Sequence, residues 1–162
     1  MAFDAFLKIE GIPGESTDDA HKDWIEILTF NLGAEQPVSF TASSAGGATA
    51  ERVNIDPFTV TKEVDTSSPK LFEAATTGRH LKEVIFEVWR AGTDKQKYLE
   101  VRLEQALIAD YQLGGGGGLP SESIKFVPGR IKLTYFKQNR ADGMVGGAIA
   151  AGWDLITNKS FA

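Results

Sequence analysis

The chain has 162 residues, 42% of them hydrophobic and 24% charged, with 17 Gly, 6 Pro and no Cys. That length suits one domain whose core needs no cross-links, and the missing cysteines exclude disulfides, thiolate metal sites and cysteine nucleophiles. A net charge of −5 gives no electrostatic ground for nucleic acid or an anionic membrane as partner.

The start, Met1 to Lys8, places Asp4 where a signal peptide carries a basic region, and no apolar stretch follows. The longest weakly polar run, Gly143 to Trp153, is Gly-rich and far shorter than the ~20 apolar residues of a spanning helix. The expectation is a protein made in a reducing cytoplasm, with no membrane insertion. If exported, it leaves by a route that needs no cleaved signal.

Phe3, Ala5, Leu7 and Ile9 alternate with Asp4, Phe6 and Lys8, the period of a half-buried strand, and Gly11 to Gly14 ends it. Ser16 to Asp23 is polar and reads as a loop. A second strand spans Trp24 to Leu32, with Trp24, Glu26, Leu28, Phe30 and Leu32 on one face and Ile25, Ile27, Thr29 and Asn31 on the other. Two partly apolar faces predict cover on both sides, by the core and by another subunit. Thr41 to Ala50 is small, polar and Gly-rich, hence an extended loop. Val53 to Lys62 is extended again, with Pro57 marking an edge or a bulge.

One short helix follows, with Ser68 as N-cap, Pro69 at N1, Gly78 past its end and an apolar stripe of Leu71, Phe72 and Ala75. Strand patterns resume at Val84 to Arg90 and at Tyr98 to Tyr111. In the latter, Leu99, Val101, Leu103, Leu107 and Tyr111 oppose Glu100, Arg102, Glu104 and Ile108. Its length predicts a bulge or bend. Gly114 to Gly118 forms a loop, and Ile124 to Lys137 is a strand pair or one strand kinked at Pro128-Gly129. After the Gly/Ala-rich stretch Ala141 to Gly152, a short closing strand holds Trp153, Leu155 and Thr157. Seven or more strands with one helix and no βα alternation predict a mainly β, antiparallel sandwich or barrel.

No catalytic or metal motif emerges. His80 follows the helix end, where a cation interacts well with the dipole. His21 sits in an acidic loop that lacks the glycine and glutamate of a Ca²⁺ site, so the loop is read as solvated. The glycine run is closed by no Gly-Lys-Ser or Gly-Lys-Thr, and no serine lies in GxSxG. Glu100 and Glu104 are two steps apart on an outer strand face, where an ion pair with Arg102 outweighs acid–base work. Cofactors, metal ligands and catalytic residues are therefore expected to be none.

Phe3 to Ser16, with the following block His21 to Leu28, resembles the start of the hemolysin-coregulated proteins (Hcp), the tube subunits of bacterial type VI secretion systems. Phe58 to Lys62, running through Asp65 to Ser68-Pro69-Lys70-Leu71 and Gly78, is similar to the family's centre. Tyr98 to Val101, Leu133-Thr134-Tyr135 and Gly152-Trp153-Asp154 complete the resemblance. It implies a partly open antiparallel β-barrel of two sheets with one short flanking α-helix, closing as a six-membered ring. Such rings stack into a propelled tube that can hold effector proteins. The implied partners are further copies of itself, the spike protein (VgrG), the contractile sheath and baseplate, and effectors. The chain would be one domain over 1–162 with no effector extension, non-enzymatic, and secreted through the type VI system after synthesis in the cytoplasm.

Under this resemblance Thr29 and Asn31 are expected to face the lumen, and Ser43, Ser44, Gly46 and Gly47 to lie in a loop that contacts the next ring. A stand-alone β-sandwich binding module or a phage-type tail tube protein would share the same alternation. A hydrolase would need a nucleophile–base pair that the sequence does not display.

Overall fold

The computed structural model describes residues 2–39, 49–50, 52–93, 95–138 and 145–161. Its spine is β10 (Lys97–Gly114). The first half of β10 pairs on one side with β9 (Leu81–Arg90) and on the other with β12 (Arg130–Gln138), while the second half pairs with β11 (Ser121–Val127), all antiparallel. The registers Leu107↔Val127 and Glu104↔Arg130 continue one another, so β11 and β12 form a single strand kinked at Pro128-Gly129. Gly129 N–H reaches back to Glu104 O at 3.0 Å.

Gln105, at the same level, takes φ +50°. This reverses the alternation of β10: Val101 and Leu103 are buried before it, Ala106 and Ile108 after it. The expected faces of Leu107 and Ile108 are thus exchanged. A bulge between Ile108 and Asp110 resets the phase, and Tyr111 again packs inward beside Phe72.

The bend divides the strands into two sheets. The first runs from β9 to β1 (Phe3–Ile9) and β2 (Ile25–Ile27) on one side of β10. On the other side it continues from β12 to β13 (Val145–Asp154) and β14 (Lys159–Phe161). The second is β10, β11, β8 (Phe58–Glu63) and β3 (Thr29–Asn31). The chain changes sheet at Leu28, whose N–H bonds Thr61 O at 2.8 Å. Ile25 and Ile27 are buried, and beyond the corner it is Phe30 that packs on Phe86. The strand expected as continuous from Trp24 to Leu32 is therefore two strands with opposite phase. The architecture is the partly open antiparallel β-barrel of two sheets that the resemblance implies, and it decides between the sandwich and the barrel that the strand pattern leaves open.

Phe58, Phe86, Phe126, Leu7, Leu103 and Ile124 fill the interior, each worth about 1.5–3 kcal/mol by burial. Helix α1 (Ser68–Thr77) flanks it, with Ser67 as N-cap and Gly78 closing it at φ 65°. Ser68, Leu71 and Ala74 form its buried face, while Phe72 is exposed. The cap thus falls one residue before the expected Ser68, whose hydroxyl turns inward to bond Glu122 at 2.6 Å, and of the expected stripe Leu71 is buried and Ala75 packs against the core while Phe72 does not enter it.

Three other segments depart from the sequence reading. The Val53 to Lys62 stretch is broken at Asp56-Pro57 into β7 (Asn54–Ile55) and β8. Strand β4 (Ala34–Glu35) pairs with β7, and β5 (Val38–Ser39) with β6 (Thr49–Ala50), so the end of the expected Thr41–Ala50 loop is strand. Much of the Ala141–Gly152 stretch is not irregular but lies in β13, which pairs with β12 from Arg130↔Asp154 to Gln138↔Val145. Gly and Ala carry too little side chain to show an alternation, and here the partner strand fixes the conformation.

Candidate functional site

The outer face of the second sheet is laid out in polar rows. Register aligns Thr29, Thr61, Ser123 and Gln112 in one row, and Asn31, Thr59, Lys125 and Asp110 in the next. The Thr29 and Thr61 hydroxyls bond each other, and Gln112 Nε2 donates to Asp110 Oδ1 at 3.0 Å. The inward partners of these strands, Phe58, Val60, Ile124 and Phe126, are buried. The two residues singled out for the lumen, Thr29 and Asn31, thus lie together at the exposed end of a hydroxyl-rich face. Ser43, Ser44, Gly46 and Gly47 lie outside the described residues.

The inner face of β12 and β13 has a different character. Ile131↔Trp153, Leu133↔Ala151 and Tyr135↔Ile149 form three consecutive cross-strand apolar pairs. Ile131 belongs to the core, but Leu133 is 42%, Tyr135 47% and Ile149 70% exposed. With Leu32, Ala34 and Ile55 the first two pairs line an apolar cleft of about 380 Å³. A core-facing surface therefore continues beyond the core uncovered, which is the form an interaction surface takes.

Two polar clusters are buried. Beneath α1, Lys62 ion-pairs with Glu122 and lies 3.0 Å from Asp65. Ser68 and Tyr111 both donate to Glu122. Burial and then the Glu122 carboxylate push the Tyr111 hydroxyl above the usual phenol range. This network escaped the sequence reading, yet a signal exists: Lys62 follows Phe58 and Val60, and Glu122 precedes Ile124 and Phe126, on the inward phase of neighbouring strands.

His21 corrects an expectation. The Ser16–Asp23 segment is a loop, but it is folded over β1 and β9 rather than solvated. His21 is 2% exposed, with Nδ1 2.7 Å from Asp18 Oδ2 and Nε2 2.8 Å from Glu87 Oε2. Phe6 stacks on its ring at 4.1 Å, and Trp24 and Trp89 meet it edge-on. The Trp24 end of the second strand, expected to be covered by another subunit, is thus covered in part by this chain's own loop. Gly14 is needed at the loop base, since a Cβ there would stand 2.5 Å from Trp24 O.

Lys95, followed by His21, holds the Asp18 carboxyl below its ordinary range. Burial pushes Glu87 up, but hydrogen bonds from His21 and Trp89 and the charge of Lys97 outweigh it, and the net shift is downward.

His80 is exposed, and the glycines after β10 form an exposed turn. Glu100 pairs with Arg102 at 3.4 Å and with Lys97 at 2.8 Å, and Glu104 with Arg130 at 3.0 Å. Among the described residues no group of three or more His, Asp or Glu is arranged to hold a metal, and no helix is long and apolar enough to cross a membrane.

Comparison with known proteins gives a consistent result. The family model described as type VI secretion system effector, Hcp, matches residues 6–135. Protein hcp1 of Pseudomonas aeruginosa is 30% identical over 161 residues, covering 98% of both chains. The major exported protein of the same organism is 33% identical over 100 residues, 60% of this chain and 55% of that one. A solved type six secretion system protein superposes with a TM-score of 0.91 at 33% identity, covering 99% of this chain and 100% of its own. Hcp1 from Salmonella typhimurium gives 0.81 at 29% identity over 99% and 100% of the two chains. The chain belongs to the Hcp family of type VI secretion proteins.

Proposed function

We propose that this chain is a structural, non-catalytic subunit of the type VI secretion tube. Six copies close into a ring, and rings stack into a tube that the contractile sheath drives outward. The observation that carries this reading is the division of surface chemistry between two faces. The apolar pairs of β12 and β13 form part of the joint between neighbouring protomers in the ring. The rows containing Thr29 and Asn31 line the lumen, a hydrated wall of small hydroxyl and amide groups that holds effector proteins without gripping them. The loop with Ser43, Ser44, Gly46 and Gly47 meets the next ring. The VgrG spike and the baseplate complete the partners, and export proceeds through the system itself. The chain acts as one domain.

Native mass spectrometry of the purified protein, with negative-stain images of the same sample, tests this. A single species at six chain masses with annular particles supports it. A monomer that persists at high concentration refutes it and favours a stand-alone binding module.

A further inference from the structure

We infer that the apolar strip of β12 and β13 seats in one particular place on the next copy of the chain, the hollow at the β1–β2 margin of the first sheet, with Lys137 set against Asp4 and Glu26. This rests on the ring reading above and names the face that the strip meets at each joint. The strip follows from the phase of β12. Ile131, Leu133, Tyr135 and Lys137 succeed one another on one face, so a run that starts in the core ends in an exposed cation. Tyr135 faces Ile149 and Lys137 faces Gly147 in register, which leaves the apolar surface open up to the lysine.

The hollow has the opposite charge. It encloses about 730 Å³ and carries the carboxylates of Asp4, Asp18 and Glu26 against one cation, Lys95. Lys95 bonds Asp18, which leaves Asp4 and Glu26 in excess. Among the described residues neither of these two nor Lys137 enters an ion pair within the chain. Phe3 and Leu28 add exposed apolar surface to the same hollow. An apolar strip ended by a cation is thus matched by an apolar hollow rimmed by carboxylates.

The two faces are placed for contact between copies. They stand at opposite margins of one sheet, about 24 Å apart across its strands, and a ring needs two different, complementary faces on each protomer. They also stand at one level. A single row crosses the sheet through Ile27, Ala5, Val88, Leu99, Tyr135 and Ile149. Ile27 and Ala5 line the hollow, and Tyr135 and Ile149 form the strip. Asp4 and Lys137 lie beyond that row on the same side. Rotation about an axis along the strands carries each residue sideways at constant level, so strip meets hollow and Lys137 meets carboxylates. Both margins also end in edges that no described strand pairs, β2 on one side and β13 before Gly152 on the other.

The test is a charge exchange read by native mass spectrometry of the full chain. One variant carries Lys137→Glu, and the other carries Asp4→Lys with Glu26→Lys. Each alone sets like charges against one another at every joint, and its ring fraction should fall about tenfold or more relative to the parent. Mixed in equal amounts, with one chain labelled with ¹⁵N, the two should regain the ring mass with the chains alternating, because every joint then pairs opposite charges. Asp4→Lys or Glu26→Lys taken singly serves if the doubly changed chain does not fold. Rings that persist in either variant would assign the hollow to a partner other than a copy of this chain and overturn the pairing. A mixture that stays dissociated also overturns it, and in both cases the ring reading stands. A parent that forms no ring overturns both.

Discussion

Lys62 Nζ and Glu122 Oε1 form an ion pair in which both side chains are fully buried beneath α1. They occupy opposed positions of β8 and β11 in the register Glu122↔Lys62. Glu122 also accepts hydrogen bonds from Ser68 and Tyr111, so one carboxylate ties the helix to three strands of the second sheet. Removing one partner strands the other charge, a loss of about 3–5 kcal/mol. Lys62→Met and Glu122→Leu should each lower stability by that amount in urea unfolding. The double variant should be less destabilised than the sum by at least ~2 kcal/mol, because no charge is left behind. Simple additivity would show that the pair is not coupled.

How much of this was legible in the sequence follows from the range of the interactions. Strand alternation and turn residues are local, and they gave an antiparallel sandwich or barrel, the break at Pro128-Gly129 and the single helix, while the two-sheet, partly open form came only from the family resemblance. Phase reversals at Leu28 and Gln105 were not legible, because each arises where a strand passes from one sheet to another and depends on the partner it meets there. The Gly/Ala-rich β13 was missed for want of side chains. His21 was misread because Glu87, 66 residues away, supplies half of its environment. Thr29 and Asn31 were found as the polar end of an apolar strand, but the rows they belong to require the register of four strands.

The depressed carboxyls of Asp18 and Glu87 set the acid response. A group whose folded value lies below its unfolded one contributes stability that is complete above the unfolded value, about 4, and is lost as pH falls through the folded value. Stability should therefore fall steeply below about pH 4. Asp18→Asn and Glu87→Gln should be less stable than the parent at pH 7 but show a shallower acid slope. Urea midpoints between pH 2 and 7 measure this, and parallel curves for parent and variants would contradict it.

The apolar pairs of β12 and β13 predict a separation of fold from assembly. Leu133→Asp places a charge among Ala151, Ile131 and the Tyr135–Ile149 pair without touching the closed interior. Because Leu133 is 42% exposed, monomer stability should change by less than ~1 kcal/mol. The ring species should be lost from native mass spectra, since a buried unpaired carboxylate at a joint costs several kcal/mol. An intact ring would move the joint elsewhere.

Asn31 offers the corresponding test of the wall. It is exposed, pairs in register with Thr59, and shares a row with Lys125 and Asp110. Asn31→Arg keeps a polar side chain and should leave the strand pairing intact, but it adds bulk and a positive charge at every copy around the lumen. Effector co-purification with the ring should fall by roughly tenfold or more, equivalent to about 1.4 kcal/mol of lost binding, while the ring mass is unchanged. Loss of the ring itself would place Asn31 at a protomer joint instead. Unchanged cargo with an unchanged ring would remove this face from the lumen.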